Sequence, residues 1–365
     1  MKKHAIIPIF IPHRGCSYNC VYCNQKSITG QLSRISVLEI DNVIKSHLQN
    51  MPDSIIPEIA FYGGSFTALP MAKQQELLKI AEPYVVSGSV SGIRISTRPD
   101  AIDNDILELL ASYRVKVIEL GVQSLDREIL RISGRPYEPG IVAEVSKLIK
   151  QKGFVLGHQI MIGLPGSDPS KEIDTANKVI EIKPHLARIY PAIVLQGTRL
   201  AEWYRDGLYQ PIELEEAVNI VAILLTMLEK AGIKIIRMGL QPSTDLVEPG
   251  NILAGPFHPS FGELVQAEVF RLQAEVAITR FQEGGTTRRL NLYVHSNDLS
   301  KMIGHYRNNI RSLTEIFKLE SLKVIGLNDI EKKWVGVGGW EEDSPRLIIS
   351  RHEFHELYKY KNIGY

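Results

Sequence analysis

The stretch Cys16-Ser17-Tyr18-Asn19-Cys20-Val21-Tyr22-Cys23 holds every cysteine of this 365-residue chain. An odd number packed so tightly makes no disulfide framework. At C-x3-C-x2-C spacing on a short loop, three thiolates can converge on one metal centre. Two centres suit these residues. A mononuclear zinc needs a fourth ligand, for which His13 is the nearest candidate. A 4Fe-4S cluster bound by three cysteines keeps one iron open for a substrate or cofactor.

Outward from this loop, residues 5–11 upstream read as a strand. The opening MKKHAIIPIFIP begins like a secretory signal, but Pro8 and Pro12 interrupt its apolar run and His13 and Arg14 follow. No small-residue cleavage site appears. The apolar run at 217–228 falls short of the roughly 18–20 residues of a membrane span. A cytoplasmic protein without membrane contact is expected. Downstream, β-branched runs at 58–62, 92–96, 115–121, 154–162 and 186–190 alternate with helical stretches at 37–49, 72–81, 103–112, 140–150 and 170–181. Alternating βα units predict an α/β fold with a parallel sheet, with functional groups at the strand C-termini. The cysteines follow the first strand. Gly63-Gly64 follow the second, where the lack of Cβ atoms lets backbone carbonyls approach a ligand ammonium. Glu119 and Gln123 alternate with Leu120 and Val122 and so share one strand face. A carboxylate and an amide buried there need partners.

The cysteine spacing with Tyr22 before the last cysteine, followed by Glu58-Ile-Ala-Phe-Tyr-Gly63-Gly64-Ser65-Phe66-Thr67, resembles the radical S-adenosylmethionine (SAM) enzymes. Thr97-Arg98-Pro99-Asp100, Glu119-Leu-Gly-Val-Gln-Ser124, Gly163-Leu-Pro-Gly-Ser167 and the series Gly197-Thr198, Trp203, Gly207, Tyr209, Pro211 narrow it. Together they resemble the radical-SAM half of the Elongator catalytic subunit, a tRNA-modifying enzyme, over about residues 5–260. The oxygen-independent coproporphyrinogen dehydrogenases are more distant. The resemblance implies a partial (βα)6 TIM-like radical-SAM barrel and an enzyme with one 4Fe-4S cluster and SAM. It implies Cys16, Cys20 and Cys23 as cluster ligands and Tyr22 near adenine. Gly63, Gly64 and Ser65, with Phe66 in the same motif, would hold the methionine amino group. Glu119 and Gln123 would meet SAM further along, and Arg135 or Arg98 its carboxylate. His158 and Tyr190 are active-site candidates, Tyr190 as a hydrogen donor, and Arg98 is alternatively a substrate partner. Reduced ferredoxin or a flavodoxin-type protein would supply the electron. Two departures stand out: the Elongator subunit spaces its cysteines more widely, and Ser96 stands where it has a glutamate before the TRPD motif.

Residues 1–260 therefore read as barrel and flanking extension, and 261–365 as a small C-terminal α+β appendage. The Elongator subunit carries an acetyltransferase domain after its barrel, and the roughly 100 residues left here are short for one. Lys333-Trp-Val-Gly336-Val-Gly338 reads as a glycine turn between strands. Residues 263–280 read as an amphipathic helix, and 289–294, 322–325 and 346–350 as strands. Between Arg271 and Arg311 stand seven Lys/Arg and three Asp/Glu. Arg288, Arg289 and Arg307, with His258, are the candidate substrate contacts, since basic groups interspersed with aromatics suit an RNA. Lys plus Arg number 42 against 41 Asp plus Glu, so a protein that coats nucleic acid along its whole surface is excluded. With no further cysteine, cysteine-bound auxiliary clusters are excluded, as are methylation through a catalytic cysteine and methylthiolation that depends on a second three-cysteine cluster. The expected activity is radical SAM chemistry on RNA, with a tRNA base as the preferred substrate. The alternative is a tetrapyrrole or other metabolite, and a non-catalytic metal-binding module ranks last.

Overall fold

In the computed structural model, which describes residues 5–11, 18–24, 36–52 and 54–358, parallel strands follow one another across a sheet in chain order. They are β1 (Ile6–Ile11), β2 (Glu58–Gly63), β3 (Ile93–Thr97), β4 (Val115–Gln123), β5 (Val155–Ile162), β6 (Leu186–Pro191) and, past the short β7 (Val194–Leu195), β8 (Lys234–Met238). The six predicted strands are all present, and β8 adds a seventh. The sheet is the curled half-barrel of a TIM-like fold. β7 pairs antiparallel with β9 (Ile252–Ala254).

Helices Val37–Gln49, Met71–Val86, Asn104–Ser112, Gly140–Gln151 and Pro169–Ile182 connect the strands. Their starts are written locally. Ser36 and Glu39 form a capping box, and Asp103 and Asp168 accept the Ile106 and Lys171 amides at 2.8 and 2.9 Å. Such caps satisfy amides that a helix start leaves unpaired. Strand residues alternate between two faces. On β4 the outward Ile118, Leu120 and Val122 are fully buried. Glu119 shares the inward face with the residues its register brings opposite, Ser96 on β3 and Gly157 on β5.

The chain divides into two compact units. The first comprises residues 1–213 and 233–257, and the second 214–232 and 258–365. The helix Leu214–Lys230 thus joins the second unit, where a break at 260 alone would leave it in the first. The second unit carries a four-stranded sheet of β10 (Arg289–His295), β11 (Ser321–Leu327), β12 (Val335–Gly339) and β13 (Leu347–Ile349), in the order β11-β10-β12-β13. Only β10 and β11 run parallel. Two expectations are corrected here. The glycine stretch is strand β12 rather than a turn. Its glycines make room for the following hairpin, because a Cβ on Gly336 would lie 2.7 Å from Pro345 Cβ. The helix Phe261–Gln282 is not amphipathic but central, with buried residues from Phe261 to Ile278 spread around its circumference. No helix among the described residues is long and apolar enough to cross a membrane.

Candidate active site

The inward face of the half-barrel carries a buried ionic network. Glu119 accepts from Arg94 Nη1 on β3 at 2.5 Å, and from Arg188 Nε and Nη2 on β6 at 2.6 and 3.0 Å. Arg94 reaches on to Glu58 of β2 through Nε at 2.9 Å and Nη2 at 2.6 Å. Arg188 donates to Tyr62 Oη at 2.7 Å and to Tyr190 Oη at 3.2 Å. Two carboxylates balance two guanidiniums, which is how buried charge is tolerated. Burial first, and Glu119 second, push the Tyr62 hydroxyl pKa up, so it stays protonated. Gly157 leaves room for this arrangement: a Cβ there would sit 3.0 Å from Glu119 Cγ.

At the C-terminal ends of the strands the described part of the cysteine loop is pinned from both sides. Val21 donates to Ser133 O at 3.2 Å and accepts from Leu200 N at 2.8 Å, and Cys23 N turns back to Cys20 O at 3.0 Å. Gly134, at φ +75°, lets the chain pass there, since a Cβ would lie 3.0 Å from Asn19 O. Arg135 follows it. This buried guanidinium donates to Gly121 O at 2.5 Å, to Tyr137 Oη at 2.9 Å and to Cys20 Sγ at 3.7 Å. Burial opposes its charge, but Tyr22, Tyr137 and Cys20 outweigh that and hold its pKa above the usual arginine value. Gln123, in a left-handed conformation at φ +67°, sits at an irregularity of β4 and accepts from Gln159 at 3.3 Å. Tyr22 packs against Ile129, Leu164 and Ala192. Its hydroxyl is buried with no hydrogen-bond partner among the described residues.

Residues 10–179 match the Radical SAM superfamily model, and residues 184–271 the Radical_SAM C-terminal domain. The chain belongs to the radical SAM superfamily. It is therefore an enzyme whose family implies a 4Fe-4S cluster and SAM. The tRNA uridine(34) acetyltransferase of Dehalococcoides mccartyi is 30% identical over 174 residues, 42% of this chain and 38% of that protein. Protein MJ0486 of Methanocaldococcus jannaschii is 27% identical over 223 residues, 60% of this chain and 65% of that one. The structure of Elp3 from Methanocaldococcus infernus shares the fold, with a TM-score of 0.57 at 19% identity over 79% of this chain and 65% of that chain. The chain thus spans about two fifths to two thirds of these relatives.

The residues present fit the radical SAM cofactors. Cys20 and Cys23 share one turn, a cationic N–H points at a thiol, and the orphaned Tyr22 hydroxyl needs a partner. Cys16 and His13 lie outside the described residues. Gly63, at φ +105°, ends β2 and leads into Gly64 and the buried Ser65. The loop beyond is held by a Thr67–Thr97 hydroxyl contact of 2.6 Å, and by Gln74 donating to the Thr67 and Leu69 carbonyls. Tyr190 is on the inward face, beside Arg188.

Several candidates stand elsewhere. His158 alternates with Gly157 and Gln159 and so faces the helix layer. Its Nε2 lies 2.8 Å from Ser146 Oγ on the helix Gly140–Gln151, and burial drops its pKa to about 3. It is a neutral core histidine away from the inward face. Phe66 is fully buried against Phe61, ring centroids 5.3 Å apart, and so serves the core. Arg98 donates to Asp100 at 3.0 and 3.3 Å and lies 4.1 Å from the Tyr18 ring, while Tyr18 donates to the same carboxylate at 2.8 Å. It braces the cysteine loop. Glu119 already takes three hydrogen bonds from two arginines. Arg94, Arg188, Glu58 and Tyr62 were not singled out from sequence, although Arg94-Ile-Ser96 and Arg188-Ile-Tyr190 show the period-two pattern of a polar inward face.

In the second unit, Arg288 lies 3.7 Å from Glu320, and Arg289 stacks 4.5 Å from the Trp340 ring. Arg307 is exposed, and His258 packs edge-on to His305 with ring centroids 5.9 Å apart.

Proposed function

We propose that this radical SAM enzyme acts on RNA, with a tRNA base as its substrate. One observation carries the reading: the 30% identity to a tRNA uridine(34) acetyltransferase over 174 residues. The exposed Tyr306, Arg307 and Arg311 of the second unit, which we take as the RNA-binding part, support it.

In this proposal Cys16, Cys20 and Cys23 hold the cluster, and Gly63, Gly64, Ser65, Tyr22 and Gln123 hold SAM. Bound together, cluster and SAM supply a 5′-deoxyadenosyl radical once an electron arrives, for which a reduced ferredoxin or flavodoxin-type donor is proposed. The chain does the rest. Arg135 keeps a fixed positive charge at the Cys20 thiolate. The Glu58–Arg94–Glu119–Arg188 network lines the inward face with neutralised charge, preorganised by its own hydrogen bonds. Tyr190, hydrogen-bonded to Arg188, presents a phenolic O–H as the candidate hydrogen donor.

The test is anaerobic reconstitution with iron and sulfide, then dithionite and SAM, with 5′-deoxyadenosine read by mass spectrometry and Cys20→Ala as control. Bulk tRNA is expected to raise the yield in the wild type alone. Stimulation by a tetrapyrrole and none by tRNA would transfer the assignment to a small-molecule substrate.

A further inference from the structure

We propose that the turn His305-Tyr306-Arg307, with Arg311, is a platform that stacks an unpaired base of the RNA and holds its flanking phosphates. The inference rests on the RNA reading above and assigns it a place and a mode.

Four observations meet in this turn. Tyr306 is 83% exposed, the most exposed large apolar side chain among the described residues. An aromatic ring left in water stacks on any base face. Tyr306 is also the outermost of three neighbouring rings, 4.1 Å from His305, which is 5.9 Å from His258. The display is built rather than loose. Tyr306 and Arg307 both adopt positive φ, +48° and +63°, which costs non-glycine residues energy that surrounding structure must offset. The buried Asn309 supplies that support, donating to Ala267 O at 2.7 Å and Lys301 O at 3.1 Å. Gly304 fits against it, since a Cβ there would lie 2.7 Å from Asn309 Oδ1.

Charge distinguishes this turn from the other basic residues of the unit. Arg288 has Glu320 and Arg289 has Trp340. Arg307 and Arg311 are exposed and have no ion pair among the described residues. They stand four positions apart at the start of the helix Asn308–Ile316, about 6 Å along its axis. No acidic residue occurs between Asp298 and Glu315. Two uncommitted guanidiniums beside an exposed ring fit phosphate on either side of a stacked base. A duplex, whose bases are already stacked, offers the ring nothing.

The test uses the full chain and a labelled single-stranded RNA 12-mer, with the same strand in duplex as competitor. A second strand carries 2-aminopurine, whose fluorescence falls on stacking. The expected results are preference for the single strand, quenching of 2-aminopurine, and a loss of affinity of about 5- to 150-fold for Tyr306→Ala, with Tyr306→Phe near wild type. Arg307→Gln with Arg311→Gln should flatten the salt dependence by about 1.4 in log–log slope, and Arg288→Gln should leave it unchanged. A Kd for Tyr306→Ala within twofold of wild type, equal binding of duplex, or a slope change from Arg288→Gln would overturn the placement. Wild-type protein that binds no RNA, or binds anionic vesicles equally well, would overturn the RNA reading itself and leave the radical SAM assignment standing.

Discussion

Replacing Glu119 by Gln asks whether this residue ligates SAM or braces the barrel. Its two carboxylate oxygens take three hydrogen bonds, at 2.5, 2.6 and 3.0 Å, from Arg94 and Arg188. The glutamine keeps the shape but removes one of two negative charges facing two buried guanidiniums. It also turns an N–H2 toward one of them. Breaking a buried pair in this way costs about 3–5 kcal/mol, mostly from the charge left uncompensated. With a urea m-value of about 2.5 kcal/mol/M, the midpoint should fall by about 1–2 M. The assay is urea unfolding of the apoprotein followed by tryptophan fluorescence. Trp203 lies in the first unit and Trp334 and Trp340 in the second, so a Trp334→Phe, Trp340→Phe background reports the first unit alone. Calorimetric SAM titration of the reconstituted protein accompanies it. A midpoint shift below about 0.4 M (about 1 kcal/mol) with at least tenfold weaker SAM binding would refute the reasoning and restore Glu119 as a ligand.

Arg135→Met removes the N–H donor at Cys20 Sγ. Such donors stabilise the more negative, reduced cluster, so the midpoint potential in an EPR-monitored redox titration should fall by about 59 mV, tenfold in the reduction equilibrium. An unchanged potential with weakened SAM binding would instead place Arg135 on the SAM carboxylate. His158, held neutral to about pH 3 in the fold, takes up its proton near pH 6.5 when unfolded. The unfolded chain then binds more protons between those values, so stability rises with pH across that window. At pH 5 its contribution is about 2 kcal/mol below that at neutral pH, and His158→Gln should flatten the first unit's urea-midpoint profile from pH 4 to 6.5. In the second unit burial raises the Glu229 pKa, but His355 and Lys333 outweigh it and hold it at about 2. That stabilisation is complete above pH 4.5 and is lost as pH falls toward 2, so Glu229→Gln should remove acid sensitivity of the Trp334 and Trp340 signal over that range.

Much of this fold was legible because its signals are local. The β-branched runs, aspartate and serine caps and glycine punctuation each act within a few residues, and the predicted strands and helices of the half-barrel followed from them. The helix Phe261–Gln282 misled because its buried face extends through Ala267, Phe270, Ala274 and Ala277, well beyond the stripe of Leu264, Val265, Val269, Leu272 and Val276 that the sequence displays. Strand β12 misled because Gly336 and Gly338 answer to the hairpin folded over them rather than to a turn of their own.

The site divides the same way. The spacing of Cys16, Cys20 and Cys23 determined by itself that three thiolates can meet, since a segment that short keeps all three within reach of one centre. Alternation likewise predicted Glu119 and Gln123 on one face, but the register shifts between Gly121 and Gln123, so the meeting of Gln123 with Gln159 was decided by the tertiary structure. Which polar groups answer them was decided only by tertiary structure. Glu119 meets Arg94 and Arg188, 25 and 69 positions away, because sheet register sets them side by side. Register also decided His158: with period two, one position separates the inward face from the helix layer, and the pairing of Gly157 with Glu119 sends His158 outward. Arg135 reaches Cys20 across 115 positions because the turn at Gly134 packs on the cysteine loop. Contacts of that range depend on the packing of whole elements, which no local pattern of residues encodes.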